Sequence, residues 1–287
     1  MQLIYRNMDR LQLDAAYNNT KAVSDFPALL TQFQQRSAAW YAAAHVRRDI
    51  PYAKGARTRF DFFPAQDKYA PTLIFIHGGY WQNCNKEDFA FVAEGACKSN
   101  INVILAEYTL APEASMTTIV NEIGELLDFL DGNRSTFNIT PGKVCLSGHS
   151  AGGHLTALHR EHPLVSHAMP ISALVDLEPI SLSWLNDKLA LTPEEISIYS
   201  PIHSVSLGRP ISIQVGADEL PELIRHSKEY AESLAQCGNK VVYQCMAGHQ
   251  HFSLLNEFQG GGKLLQALLE LMNESPGKKS VCEGQAR

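Results

Sequence analysis

The sequence lacks the features of nucleic-acid-binding, membrane-spanning and secreted proteins. Its 24 lysines and arginines are outnumbered by 30 aspartates and glutamates, and the net charge of −6 argues against a surface that binds nucleic acid or an anionic membrane. No apolar run approaches the length of a membrane span, and the first residues have no apolar core of a signal peptide. We therefore expect a cytoplasmic protein without nucleic-acid or membrane partners.

Paired cysteines are also absent. The six cysteines are scattered, without C-x-x-C spacing or a Cys/His signature. Isolated cysteines in strands and helices are usually small apolar core residues of a reducing compartment. We expect no disulfide, no metal site and no other cofactor.

What the chain does contain is a regular alternation of apolar runs and amphipathic segments, within 287 residues. This length suits one large domain. The predicted strands are residues 58–63, 72–77, 102–108, 143–148, 167–174, 210–216 and 239–245. The predicted helices between and after them are residues 86–98, 117–130, 151–160, 220–236 and 261–272. The pattern predicts an α/β fold with a mostly parallel sheet flanked by helices, and Pro170 predicts an irregularity in its strand.

Three segments lie outside this alternation. Residues 1–50 are predicted to be a helical segment that packs one face on the domain of residues 51–273, with contact to a substrate as the alternative. Residues 176–206, rich in proline, break the rhythm and are interpreted as a small lid insertion. Residues 274–287 are polar, and we expect a frayed tail.

A sharp strand-to-helix turn is predicted at residues 148–152, with the sequence Gly-His-Ser-Ala-Gly. An apolar strand precedes it and a helical run follows, so Ser150 would sit at the tip of the turn with its hydroxyl exposed. Glycines at both ends of the turn permit close packing against the neighbouring strand and helix. Ser150 is therefore the candidate nucleophile.

A serine nucleophile needs a base, and the base needs an acid that orients it. Asp218 follows a predicted strand and is our first choice of acid, with Glu219 and Asp176 as alternatives. His249 and His251 both follow the last strand, and position alone leaves the choice between them open.

A second glycine pair follows the strand of residues 72–77. The backbone N–H groups of Gly78 and Gly79, together with that of Ala151, would form an oxyanion hole, and His77 would brace the loop.

With these residues in place, the sequence resembles the arylformamidase (kynurenine formamidase) branch of the α/β-hydrolases over most of residues 58–258. The motifs that carry the resemblance are His77-Gly-Gly-Tyr-Trp81, Gly148-His-Ser-Ala-Gly152 with Gly153-His154, Asp176-Leu-Glu-Pro179, Val215-Gly-Ala-Asp-Glu-Leu-Pro-Glu222 and His251-Phe252. The resemblance implies the α/β-hydrolase fold. It also implies His251, which precedes a phenylalanine, as the base, and hydrolysis of N-formylkynurenine to kynurenine and formate.

Four aromatic residues are the candidate substrate-binding wall: Tyr80, Trp81, Trp184 and Phe252. A core role is the alternative for each of them. The same triad would also suit a general carboxylesterase acting on short-chain or aryl esters, and a non-catalytic binding scaffold is the third hypothesis. The expected partner is a small ester or formamide, and a homodimer is compatible with these features.

Overall fold

Eight strands form one sheet at the centre of the molecule. In the computed structural model, which describes residues 2–275, the strands are β1 (Arg47–Pro51), β2 (Arg59–Phe63), β3 (Thr72–Ile76), β4 (Asn102–Ala106), β5 (Val144–His149), β6 (His167–Ile171), β7 (Ile211–Gly216) and β8 (Val241–Met246). Their order across the sheet is β1-β2-β4-β3-β5-β6-β7-β8. β2 runs antiparallel to both of its neighbours, and all the other neighbouring pairs are parallel. This is the sheet of the α/β-hydrolase fold.

Helices cover both faces of the sheet. They are α1 (Arg10–Ala16), α2 (Asn19–Ala22), α3 (Phe26–Ala43), α4 (Val92–Lys98), α5 (Met116–Gly132), α6 (Ala151–His159), α7 (Glu178–Ser181), α8 (Asn186–Leu189), α9 (Pro193–Ile198), α10 (Pro221–Gln236) and α11 (Lys263–Met272). Single 3₁₀ turns lie at Lys86–Phe89, Pro201–His203 and Ser253–Phe258. The helix predicted over residues 86–98 is therefore a 3₁₀ turn followed by α4. No helix among residues 2–275 is both long and apolar enough to cross a bilayer.

The central strands are buried on both faces, which explains their continuous apolar sequences. In β3, Ile74 and Ile76 join the core beneath α5 and α6, whereas Leu73 and Phe75 join the core beneath α4 and α11. Alternate side chains of a strand point to opposite faces. Burying each such side chain stabilises the fold by roughly 1.5–3 kcal/mol.

Pro170 interrupts one hydrogen-bonded ladder, as the sequence predicts. The amides of Ala168 and Ser172 donate to β7 and its approach, at Pro210 and Gln214 respectively. The amide between them in this alternation belongs to position 170, where proline has no N–H to donate. The β6–β7 register accordingly contains the pairs Ala168–Ile211 and Ile171–Gln214 with a gap between them.

Two expectations about the chain need correction. The edge strand β1 lies in the segment that we predict to be N-terminal and helical, and its mostly exposed, charged sequence explains why it gives no apolar strand pattern. Cys145 is a core residue as expected, but Cys237 and Cys245 are exposed. Of the predicted polar tail, residues 276–287 lie outside the described part of the chain.

Gly152 lies where the start of α6 approaches the end of β3 closely. A Cβ atom at position 152 would lie 2.1 Å from the carbonyl oxygen of Ile76 and 2.6 Å from that of His77. Both obstacles are backbone atoms, so a side chain here would force the helix away from the sheet.

We expect Gly152→Ala to lower the free energy of unfolding by about 2–4 kcal/mol because α6 must shift off β3. Gly132→Ala is the matched control, since Gly132 is an exposed residue at the end of α5 and a Cβ there meets nothing within 4 Å. That control should be neutral or stabilising by up to about 1 kcal/mol. Urea unfolding of both variants measures the difference, and equal stabilities would contradict the packing argument.

Burial lowers the pKa of several histidines in the folded protein, among them His149, His154 and His226. Burial holds the pKa of His154 at about 4, and it holds the pKa of His149 and His226 well below the ordinary value of 6.5. The unfolded chain binds protons at these positions below pH 6.5 whereas the folded chain does not. These histidines therefore leave the free energy of unfolding at its full value above pH 6.5 and reduce it as the pH falls below 6.5. For His154 this decrease continues down to about pH 4.

Between pH 7 and pH 5.5, each of these histidines should lower the free energy of unfolding by about 1 kcal/mol. His154→Gln should remove one such contribution and make the stability less dependent on pH, whereas His45→Gln, at an exposed position, should leave the dependence unchanged. Urea unfolding at pH 7.0, 6.0 and 5.5 measures the slopes. An unaltered slope in His154→Gln would show that His154 is not buried in its neutral form.

Candidate active site

Ser150 occupies the sharp turn between β5 and α6. Its backbone has φ 57° and ψ −115°, a strained conformation for a residue with a side chain. The glycines around it allow this turn to press against β3, and the amide of Ser150 donates to the carbonyl of Ile171 on β6. The serine is thereby fixed at the carboxyl end of the parallel strands, where its side chain borders a cavity.

A buried histidine and carboxylate pair lies beside this turn. His251 Nδ1 donates to Glu219 Oε2 over 2.6 Å, and the Glu219 side chain has no exposed surface. The other carboxylate oxygen, Oε1, accepts hydrogen bonds from the amide of Gly216 and the hydroxyl of Ser172. Three donors thus fix the carboxylate, and the carboxylate fixes the tautomer and orientation of the ring.

The predicted acid, Asp218, is wrong in this geometry. Asp218 is exposed at the apex of the turn after β7, and its amide, not its carboxylate, bonds to the His249 carbonyl. Glu219 comes one residue later, where its longer side chain reaches back under the turn to the amide of Gly216. The other alternative, Asp176, accepts a hydrogen bond from Tyr5, away from the histidine.

The structure distinguishes the two candidate histidines. His249 pairs with Glu257 over 3.3 Å, whereas His251 meets Glu219 and borders the same cavity as Ser150. Because Nδ1 of His251 bonds to the carboxylate, Nε2 is the atom left for the serine. Within residues 2–275 the Ser150 hydroxyl makes no hydrogen bond, which is common for catalytic groups before substrate binds.

His149 supports the loop that carries His251. Its Nε2–H donates to the backbone carbonyl of His251 over 2.9 Å, and the two rings lie 4.4 Å apart. Burial, with a smaller contribution from the charge of His251, holds the pKa of His149 well below its ordinary value. His149 is therefore a neutral positioning group beside the nucleophile.

The predicted oxyanion loop is braced by a buried polar network. His77 Nε2 bonds to Glu107 Oε1 over 2.8 Å, and the same oxygen accepts from Arg57. Although burial acts in the opposite direction, His77 and Arg57 hold the pKa of Glu107 below its ordinary value. The ring of His77 also stacks on Tyr108 with 4.6 Å between centroids. The bracing role predicted for His77 matches these contacts.

The loop itself lies against the nucleophile. A Cβ atom at Gly78 would stand 3.2 Å from the Cβ of Ser150, and Gly79 borders the cavity with a φ of 112°. In the described chain the amides of Gly78 and Gly79 donate to no protein acceptor. Ala151, the first residue of α6, has no partner for its amide within the helix. These amides are free to receive an oxyanion.

The cavity beside Ser150 has a volume of about 640 Å³ and an apolar, largely aromatic wall. Its apolar side chains include Phe26, Leu30, Phe33, Phe89, Trp184 and Phe252. Phe26 packs on Phe252 with 4.5 Å between ring centroids. No lysine or arginine is among the described residues that border this cavity. The space suits an uncharged aryl group.

One competing nucleophile borders the same cavity. Burial, assisted by nearby carboxylates, raises the pKa of the Cys84 thiol to about 12. A thiolate is the reactive form of cysteine, so Cys84 is inert at neutral pH. Ser150 is the nucleophile that the geometry supports.

Three of the four predicted wall residues border the cavity: Tyr80, Trp184 and Phe252. Trp81 does not, and its prediction as a substrate-binding residue is wrong. Trp81 is fully buried, and its indole N–H donates to His154 Nδ1 over 3.3 Å. Its backbone also has a positive φ of 59°, and its side chain belongs to the core rather than to the cavity wall.

The cover of the cavity comes mainly from the N-terminal segment. Thr20 and five residues of α3 border it: Phe26, Pro27, Leu30, Phe33 and Gln34. From residues 176–206, interpreted as the lid, Trp184 is the one that borders it. The N-terminal segment thus lines the cavity beside Ser150 as well as packing on the domain, and its contact with a substrate stays a prediction. In the sequence, the helical spacing of the apolar residues indicates that one face of this segment is buried. It does not indicate that this face lines the cavity of Ser150.

The fold and the site together define a hydrolase of the α/β-hydrolase class, with a serine, a histidine and a glutamate at the carboxyl ends of parallel strands. Comparison with known proteins agrees. The BD-FAE family model matches residues 62–162, which include the glycine loop and the turn at Ser150.

Kynurenine formamidases are among the similar sequences. Those of Danio rerio and Salmo salar are each 27% identical to this chain, over 237 and 245 residues. The alignments cover 77% and 79% of this chain, and 80% and 82% of the two relatives. An esterase of Pyrobaculum calidifontis has the same fold, with a TM-score of 0.71, 20% identity and coverage of 87% of this chain and 93% of that one. The chain is thus similar in sequence to kynurenine formamidases, and it shares the α/β-hydrolase fold with esterases.

The two adjacent acids give a direct test of the site. Glu219→Gln keeps the shape of the side chain but removes the charge that orients His251, so we expect kcat for p-nitrophenyl acetate to fall by about 10³–10⁴. The loss in Asp218→Asn should be at least about a hundredfold smaller, because that side chain points to solvent. Steady-state kinetics of both variants measures the contrast, and a larger loss in Asp218→Asn would return the role of acid to Asp218.

Proposed function

We propose that the protein hydrolyses N-formylkynurenine to kynurenine and formate through a formyl-enzyme on Ser150. The observation that carries the proposal is the aromatic cavity beside Ser150, which offers an aryl leaving group a wall formed by Phe26, Trp184 and Phe252. Two kynurenine formamidases among the relatives align over more than three quarters of the chain and supply the choice of acyl group.

In the first step, Ser150 attacks the formyl carbon while His251 Nε2 takes the proton of the hydroxyl. Glu219 holds the Nδ1–H of the ring and stabilises the imidazolium that forms. The negative charge develops on the formyl oxygen. The amides of Gly78, Gly79 and Ala151 are the proposed donors to it, and each lost donor typically costs about 10²–10³ in rate.

Tyr80 adds a further candidate donor. It follows Gly79 in the loop and borders the cavity, and its amide donates to no described residue. The positive φ of Tyr80, 58°, is a strained conformation that the surrounding packing maintains.

In the second step, the carbon–nitrogen bond breaks and His251 gives its proton to the departing aniline nitrogen. Kynurenine leaves, and the formyl group stays on Ser150 as an ester. Water then attacks this ester with His251 as the base, and collapse of the second tetrahedral intermediate releases formate and restores the serine hydroxyl. One histidine thus acts as base and acid in turn.

A general carboxylesterase is the second candidate. The same three residues suit ester cleavage as well as formamide cleavage, and the solved structures that match this fold include the esterase of Pyrobaculum calidifontis. The two candidates differ in whether the enzyme cleaves a formamide or an ester faster. Only the ratio of kcat/KM values for the two kinds of substrate separates them.

The test compares kcat/KM for N-formylkynurenine, p-nitrophenyl acetate and p-nitrophenyl butyrate in the wild type and in Ser150→Ala. We expect a preference of about 10² or more for the formamide, which corresponds to roughly 2.7 kcal/mol in transition-state binding. Ser150→Ala should lower kcat by about 10⁴–10⁶ for every substrate.

Ester turnover with negligible formamide turnover would replace the proposal by the carboxylesterase. Near-normal activity of Ser150→Ala, in protein with an unchanged circular dichroism spectrum, would refute the assignment of the nucleophile.

A further inference from the structure

A second serine, Ser172, lies behind the triad. Its hydroxyl oxygen is 2.5 Å from Oε1 of Glu219, and its side chain is completely buried. The oxygens of an ionised carboxylate can only accept hydrogen bonds, so the Ser172 hydroxyl is the donor. Ser172 is not among the described residues that border the cavity of Ser150. It therefore contacts the acid and not the space in which a substrate would lie.

The backbone of Ser172 has an unusual conformation for a serine. Its φ is 49°, in the left-handed region that glycine adopts without steric cost and other residues avoid. The sheet holds it there, because the Ser172 amide donates to the carbonyl of Gln214 on β7 over 2.8 Å. A glycine would suit this backbone with less strain. What serine supplies here, and glycine would not, is the hydroxyl.

The end of β6 holds the nucleophile as well as the acid. The carbonyl of Ile171 accepts a hydrogen bond from the Ser150 amide over 2.8 Å, and the next residue, Ser172, holds Glu219. β6 lies between β5 and β7 in the sheet. Two consecutive residues thus connect the turn of the nucleophile after β5 with the acid after β7.

A glutamate needs more restraint than an aspartate to serve as the acid of a triad. Its side chain has one more rotatable bond, and the terminal torsion of a carboxylate has a broad energy minimum. Oε2 faces His251 Nδ1 while Ser172 and the amide of Gly216 hold Oε1. Gly216 belongs to the same turn as Glu219, whereas Ser172 directly follows β6. Of these two donors, Ser172 is the one that fixes the carboxylate relative to β6.

We propose that Ser172 is a positioning residue of the reaction, whose hydroxyl keeps Oε2 of Glu219 facing His251 through both proton transfers. This inference rests on the hydrolysis at Ser150 that is part of the proposed function, and it applies to a formamide and to an ester alike. When His251 becomes an imidazolium, the hydrogen bond from Ser172 keeps the negative charge next to Nδ1. The hydroxyl raises kcat and leaves KM unchanged, because it touches no substrate.

Two variants at this position, Ser172→Gly and Ser172→Ala, test the role. Both lose the hydroxyl, so we expect both to lower kcat for p-nitrophenyl acetate about 10–100-fold with KM unchanged, the range of a hydrogen bond to a charged group. They differ in backbone strain, because glycine is relaxed at a φ of 49° and alanine is not. Ser172→Gly should therefore unfold at a higher urea concentration than Ser172→Ala. Equal losses of kcat at unequal stabilities separate positioning from a merely structural role.

Ser166→Ala is the matched control. Ser166 is a buried serine directly before β6, and its hydroxyl donates to the Val144 carbonyl over 2.7 Å, away from the triad. Loss of this hydrogen bond should lower the urea concentration at which the protein unfolds, while kcat stays within about twofold of the wild type. The control thus loses stability without activity, the reverse of the result expected for Ser172→Gly.

A double-mutant cycle with Glu219→Gln identifies the route by which Ser172 acts. Once the charge of the acid is gone, adding Ser172→Gly should lower kcat by less than about threefold more. The rate constant for labelling of Ser150 by a fluorophosphonate gives the same comparison without a substrate, and it should fall by a similar factor in Ser172→Gly.

A kcat and a labelling rate of folded Ser172→Gly within about twofold of the wild type would overturn the inference. An undiminished loss in the Glu219→Gln background would also overturn it. These results do not depend on formamide turnover. An enzyme with the expected losses on the ester or the probe, but no activity on N-formylkynurenine, would lose the proposed function and keep the role of Ser172. Formamide turnover that Ser172→Gly leaves unchanged would keep the proposed function and remove that role.

Discussion

The close contact between the start of α6 and the end of β3 is the constraint on which the rest of the site depends. Gly148 and Gly152 let the backbone of the turn approach the carbonyl of Ile76, where a Cβ atom would lie within 2.8 Å and 2.1 Å. This approach places Ser150 beside the loop of Gly78 and Gly79. The nucleophile and the amides that would receive the oxyanion are therefore held by the same backbone packing, before any substrate arrives.

The parallel sheet supplies the other two members of the triad. The carboxyl ends of parallel strands meet at one edge, so the residues that follow β5, β7 and β8 converge there, although 69 and 32 positions (219 − 150 and 251 − 219) separate them in the sequence. This is why the sequence predicts β2 to β8, Ser150 and the regions of the base and the acid, whereas the choice of His251 over His249 comes from the family resemblance. The order of the strands does not predict the conformation of the turn after β7. Whether Asp218 or Glu219 faces the histidine depends on which residue stands at the apex of that turn, and the apex is set by the contact with the His249 carbonyl.

The cover of the cavity shows a second limit of the sequence. Phe26, Leu29, Leu30 and Phe33 have helical spacing and do form one face of α3. Amphipathic spacing predicts that one face of a helix is buried, but it does not identify the part of the protein against which that face packs. The residue Leu29 packs inward, while Phe26 and Leu30 border the cavity of Ser150. Likewise, an aromatic residue such as Trp81, next to Tyr80, suits the wall of a substrate cavity. Its partner in the structure is instead the buried His154, which lies 73 positions later in the sequence.

The division of labour in the molecule follows from these contacts. The sheet and the turn at Ser150 fix the chemistry, which is the same for an ester and a formamide. The N-terminal segment borders two cavities that meet His251, with the apolar residues of α3 in one and Asn19 and Asp25 in the other. Tyr80 joins the two parts, because its hydroxyl donates to the Tyr17 carbonyl and accepts from the Asn19 amide while its backbone belongs to the loop beside Ser150. Under the proposed function, the segment that lines the space for the leaving group is thus tied to the loop beside Ser150, and we expect a change of substrate to require changes in that segment rather than in the triad.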